Sequence, residues 1–208
     1  MIRIVPFGQW ALASRALKVL PDRIKRAIDQ AAIQEAHFYR AKVLRGFATS
    51  GASNGRPWKP LKQSTLENRR QAGISGTKPL MARGDLRNSI SVVKGGIGEA
   101  FVGVKRGAMG RNGQRLTDVA AVHEFGKTIT QRVTARQVAF FNARNFAAGR
   151  GRTSLKPGDT IVIRVPARPF LGPVISKYGG RKGQERIMAR TAANLGGLLG
   201  RVPIPHTA

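Results

Sequence analysis

The chain contains no cysteine, which excludes both a disulfide framework and a thiolate zinc site. Acidic residues are nearly as scarce. Ten Asp and Glu stand among 208 residues, none paired at the short spacing of a two-metal nuclease centre. No window approaches ~18 consecutive apolar residues, so no membrane span is expected. The opening residues lack a basic leader, a long apolar run and a small-residue cleavage site. A secretory signal is therefore not expected, and synthesis and assembly in a cytoplasm are.

Catalytic constellations are missing as well. The Ser and Thr residues have no glycine-framed nucleophile elbow. His123 and Glu124 are adjacent, so they point in different directions on a helix. The HExxH zinc pattern fails because position 127 is Lys. Gly95, Gly96 and Gly98 fit neither the dinucleotide fingerprint nor the Walker pattern, and read as a hairpin turn. No enzyme activity, cofactor or metal is expected.

What the chain does have is positive charge. Thirty-seven Lys and Arg give a formal net charge of +27, spread along the whole length. No acid lies between Glu124 and Asp159, a stretch holding Lys127, Arg132, Arg136, Arg144, Arg150, Arg152 and Lys156. Self-repulsion on this scale favours a polyanionic or acidic neighbour, and these seven are the candidates to face a DNA channel.

The hydrophobic fraction of 41% suffices for a core in one domain covering 1–208. Residues 2–5 alternate as a short strand, and about 9–19 read as a helix. Pro21-Asp22 marks a new helix start. Ile24, Ile28, Ala31, Ala32, Tyr39, Val43 and Phe47 then recur at helical spacing, giving a long amphipathic helix over 22–47. Arg23, Arg26, Gln30 and Arg40 are placed on its outward face.

Residues 48–78 read as an extended loop for assembly, helical only near 63–70. Strands are expected at 89–93 and 100–105, a short helix from Thr117 or Asp118 to Phe125, and a helix over 134–148 packing through Val138, Phe141, Ala143 and Phe146. A strand at 159–165 ends at Pro166, a helix interrupted at Gly179-Gly180 runs to Leu199, and a loose tail holding His206 closes the chain.

Four segments, in order, resemble the phage virion-morphogenesis (tail-completion) family of neck and tail-joining proteins. They are Trp58-Lys-Pro60-Leu61-Lys-Gln-Ser64-Thr65-Leu66, Lys78-Pro79-Leu80 through Gly84-Asp85-Leu86-Arg87-Asn88-Ser89-Ile90, Ala120 through His123-Glu124-Phe125-Gly126, and Pro166-Ala167-Arg168-Pro169-Phe170-Leu171-Gly172. In that context Trp58, Pro60, Leu61 and Leu66 are candidate subunit or partner contacts on a mobile arm, the alternative being that Trp58 folds back onto the core of its own chain. Gly84, Leu86, His123, Phe125, Gly126, Arg168, Pro169, Phe170 and Leu171 are expected to be structural. Gly84-Asp85-Leu86 would start a helical turn, and Phe125-Gly126 with Arg168–Leu171 would close the sheet. Where the family has a short hairpin, this chain has a basic insertion over 127–160 with a helix of its own.

The expectation is an α+β fold, with a long N-terminal helix packed on a small, mostly antiparallel sheet, a C-terminal helix, the loop 48–78 and a helical insertion. The resemblance implies a non-enzymatic structural protein of the virion neck, joining head and tail as a homohexameric ring. Its neighbours would be connector or adaptor and tail-tube or terminator proteins. Six copies would carry roughly +160 around the axis, so contact with passing DNA would be non-specific. The alternatives are a tail terminator capping the tube, and a free nucleic-acid-binding protein acting in packaging.

Overall fold

The computed structural model describes residues 10–147 and 149–199. The strand expected at 2–5, residue 9, Ala148 and the tail 201–208 with His206 lie outside the described residues.

Helix α1 spans Trp10–Ala48 without a break, so the helix start expected at Pro21-Asp22 does not occur. Proline lacks the amide hydrogen that would bond one turn back, which removes one hydrogen bond from a 39-residue helix. Pro21 sits on the exposed side, and Asp22, inside the helix, accepts a bond from Arg26 Nε at its main-chain oxygen (3.3 Å). The apolar stripe forms where the periodicity places it. Ala27, Ala31, Ala32, Ala36, Val43 and Phe47 are buried, whereas Ile24 at the start of the stripe is exposed.

Small residues on that stripe let another helix approach closely. Helix α2 covers Gln63–Gln71, α3 Asp85–Asn88, α4 Leu116–Phe125, α5 Ala135–Ala147, α6 Gly172–Tyr178 and α7 Gly180–Leu199. The expected interruption at Gly179-Gly180 thus separates α6 from α7. Helix α7 runs against α1. At their contact Glu35, only 3% exposed, accepts bonds from Arg186 Nε (3.0 Å) and Nη2 (2.6 Å) and pairs with Arg190 Nε (3.3 Å). Arg186 also donates to Tyr178 O (2.6 Å) and covers the Phe38 ring at 4.4 Å. Its pKa is raised above the ordinary arginine value, chiefly by the Glu35 hydrogen bond.

The strands make two antiparallel hairpins rather than one sheet. Strand β1 (Ile90–Lys94) pairs with β2 (Ala100–Val104), Ile90 opposite Val104 and Val92 opposite Val102. This hairpin packs on α1, so Arg40, expected on the outward face of the helix, faces a strand. Arg40 lies over β1 and donates Nε to Ile90 O (2.9 Å), because its long stem reaches past the helix edge to a strand carbonyl.

Strand β3 (Lys127–Arg132) pairs with β4 (Thr160–Val165), Ile129 opposite Ile163. The short hairpin is therefore present, with α5 spliced into its connection. Thr134 and Gln137 form a reciprocal cap at the α5 start: Gln137 N donates to Thr134 Oγ1 (3.3 Å) and Thr134 N to Gln137 Oε1 (2.8 Å). Phe146 (86% exposed) and Ala143 do not pack as their spacing suggested, since α5 covers little beyond its own arm. Helix α4 begins at Leu116, before Thr117, with no side-chain cap.

The main core gathers around Phe47, which is fully buried. Its ring meets Trp58 edge-on at 5.5 Å and Phe170 at 5.2 Å, with Val43, Leu86, Ile90 and Val174 around them.

Glu35→Ala should lower unfolding stability by about 3–5 kcal/mol, because it leaves two arginines partly buried without their counter-charge. Urea denaturation measures the loss. A change within about 0.5 kcal/mol would show that the cluster is solvated.

Candidate functional site

The motif residues converge at one place although they are far apart in the chain. The Glu124 carboxylate, at the end of α4, accepts main-chain bonds from Phe170 N (2.9 Å), Leu171 N (3.1 Å) and Gly172 N (2.7 Å). These amides precede and open α6, where the free N–H groups of a helix start favour an anion. One residue earlier, His123 O accepts Arg168 N at 2.6 Å. Gly126 (φ 76°) follows α4, and a side chain there would meet Ala167 N at 3.1 Å and Val165 O at 3.2 Å. The backbone of Phe125-Gly126 and Arg168–Leu171 therefore closes the base of the β3–β4 hairpin. The Phe125 ring takes no part, being 82% exposed.

Trp58 fastens the loop to the same place. Its indole Nε1 donates to Pro169 O (2.8 Å), and Arg168 Nε donates to Lys59 O (3.3 Å). Trp58 is 7% exposed and belongs to the core of its own chain, so of its two readings the fold-back onto the core holds and the mobile-arm anchor does not. A free aromatic contact would leave both the ring and its N–H in water, and here both are satisfied internally. Gly51 (φ 83°) permits the fold-back, since a Cβ there would stand 2.8 Å from the indole. Pro60 is exposed, and Leu61 and Leu66 are half-buried. Gly84 (φ 79°) opens the α3 turn and Leu86 is buried beneath it.

Beside the knot lies an open recess of about 1040 Å³ between the 59–69 segment, the α3 turn, α4 and β4. Seven Lys and Arg line it against one carboxylate, Asp85, which already pairs with Arg111 (3.4 Å). Arg168 is 8% exposed, and its pKa is held below the ordinary value by burial and then by the charge of Arg69. Arg69 donates Nη1 to Gly76 O (2.7 Å) and Lys78 O (2.9 Å). Among the described residues no carboxylate pairs with either arginine.

The seven candidate channel cations lie together on the β3–α5–β4 arm. Lys127, Arg132, Arg136, Arg150, Arg152 and Lys156 are exposed, while Arg144 reaches Ser64 O (3.4 Å) and Arg150 pairs with Glu67 (3.2 Å). Two roles were not apparent from the sequence: Glu124 as the α6 anchor, and Arg69 as a second cation beside Arg168. An acid inside a motif that offers it no nearby partner was the available signal for Glu124.

Two measurements test this geometry. Glu124→Ala should lose about 2–4 kcal/mol, with faster amide exchange at 170–172, whereas a loss under about 1 kcal/mol would show the amides to be solvated. The His123 pKa lies below 6.5, first through burial and then through Arg168. The unfolded chain therefore takes up this proton more readily, and stability falls as the pH drops below about 6.5. Melting temperature should decline between about pH 7 and pH 5, and His123→Gln should flatten the decline.

Among the described residues, no His, Cys, Asp and Glu group is placed to hold a metal ion, and no helix is long and apolar enough to cross a membrane. No curated protein and no solved structure matches the chain. The model of the phage virion morphogenesis family matches residues 36–191, from the middle of α1 to α7, and so takes in the knot, the recess and the arm. With three quarters of its length matched, this chain belongs to the phage virion morphogenesis family, whose members serve in building the virion.

Proposed function

We propose that this protein is a non-enzymatic subunit of the virion neck that completes the tail and joins it to the head as a ring around the DNA channel. The observation that carries the reading is the β3–α5–β4 arm. Within a family that builds virions, it holds eight basic residues, the seven candidate channel cations and Arg164, together with the exposed rings of Phe140 and Phe146. Basic side chains on an arm suit backbone contact with DNA, which carries charge at every phosphate and needs no base reading.

The apolar surface supports assembly. A ring needs heterologous contacts, in which one patch meets a different patch on the next copy. Two such patches lie on separate elements. One is the arm, with Phe140 and Phe146, together with Phe125 at the end of α4 just before it. The other is the outer face of β1–β2, where Val93 stands opposite Phe101 (52% and 60% exposed) next to Ile97 in the turn. Exposed aromatics of this size are unusual on an isolated monomer. Their burial between copies also places like charges around one axis, where passing DNA neutralises them.

Light scattering should give a mass of roughly six times the 22.5 kDa chain. Phe101→Glu and Phe146→Glu should each dissociate the ring while leaving the melting temperature of the chain nearly unchanged. Microscopy of particles labelled on this protein should place it between head and tail. A label only at the tail-tube end would favour the terminator reading, and a monomer binding duplex with sharp sequence preference would remove the ring.

A further inference from the structure

The structure assigns to the recess beside Arg168 a second role: we propose that it is a socket for an extended, carboxylate-bearing segment of a different, acidic protein, bound along the free edge of β4. The inference rests on the assembly reading only in taking that protein to be a virion neighbour.

Three observations define the ligand. Arg168 is more than nine-tenths buried, yet its hydrogen bond goes to a main-chain carbonyl, Lys59 O, and no carboxylate among the described residues pairs with it. Arg69 beside it is likewise tied to carbonyls only. A carbonyl satisfies an N–H but does not neutralise a guanidinium, so the recess retains two positive charges. A planar guanidinium takes a carboxylate through two parallel bonds, the geometry it matches best.

The walls give the shape. Residues 162–165, four consecutive positions of β4, line the recess, and β4 pairs only with β3 among the described residues. A strand with an unpaired edge accepts an extended chain by main-chain bonding, while pockets hold alternate side chains. Leu61, Leu80, Val119 and Ile163 supply apolar wall for those side chains. Duplex DNA is a poor fit, because its phosphates lie on a convex, rigid surface and its backbone offers nothing to apolar walls. The exposed arm suits DNA better.

The chain itself is a poor source of the carboxylate. Of its ten acids, Asp29, Glu35, Glu67, Asp85 and Glu185 are in ion pairs, and Glu99, Glu124 and Asp159 accept main-chain amides. Only Asp22 and Asp118 remain, each on a helix rather than in an extended segment. Charge complementarity with a +27 chain points to an acidic partner of other sequence.

Fluorescence anisotropy tests the socket, with the full chain and a tagged short peptide of alternating Val and Glu, at about 0.15 M salt. The Val/Gln peptide should bind about tenfold more weakly or worse. Arg168→Lys keeps the charge but loses the fork, and should weaken the Val/Glu peptide by a similar factor. If that variant melts early, the rim variants Lys62→Glu and Arg164→Glu carry the same expectation. Lys182→Glu, an equal charge change on α7, should leave binding within about twofold.

Equal affinity for the two peptides, or equal loss in the rim and α7 variants, would overturn the proposal by showing general charge attraction. Displacement of the peptide by oligothymidylate with the same rim dependence would also overturn it, in favour of a phosphate site. Scattering mass, measured on the same samples, separates the two readings. A ring without selective peptide binding removes the socket alone, and selective binding without a ring removes the neck assembly alone.

Discussion

Glu124 receives three main-chain N–H groups, from Phe170, Leu171 and Gly172, and this one carboxylate fixes where the second half of the chain joins the first. Helix α6 starts at those amides, and Phe170 is held where it closes the core against Phe47. Arg168, two residues before, is bonded to the His123 carbonyl on one side and to Lys59 on the other. Trp58 completes the arrangement by donating to Pro169. Three segments, the farthest bonded pair 111 residues apart in the chain, thus share one set of bonds to the main chain, so loss of the anchor affects the core, the loop and the base of the arm together.

A rigid base of this kind suits a protein whose outer parts face other molecules. The β3–α5–β4 arm grows from the knot and carries cations and exposed aromatic rings, and the outer face of β1–β2 carries a second apolar patch. Neither patch is needed to stabilise the monomer, because Phe47, Ile90 and Val174 are buried without them. About three turns back along α1 from Phe47 there is a separate clamp, in which Glu35 is enclosed by Arg186 and Arg190. Most of the net charge of +27 therefore lies outside the interior, with Arg168 as a buried exception, while Glu35 and Glu124 are both satisfied by groups of the fold.

Much of this was legible in the residues. The α1 stripe, the β1–β2 hairpin with its glycine turn, α4 ending at Gly126 and the α6–α7 break all follow from local periodicity and turn chemistry. Strand β3 did not show itself, because Lys127–Arg132 contains one apolar residue, Ile129, and its pairing with β4 comes from across the α5 insertion. Pro21 suggested a helix start, yet a helix tolerates the loss of one bond when the turns on either side continue. Glu35 lies on the apolar stripe between Ala31 and Tyr39, a position where a charge signals a buried partner without saying which one.

The sequence by itself determined the family, the helical and strand periods, and the absence of thiol or nucleophile-elbow chemistry. Those properties depend on residue identity and short spacing, which a linear chain displays in full. Only the tertiary structure decided that Trp58 belongs to the core, that Glu124 anchors a helix rather than acting as an acid, and that Arg69 and Arg168 share a recess with no carboxylate for either. Each depends on which distant groups meet, and a buried charge takes its meaning from the partner that reaches it.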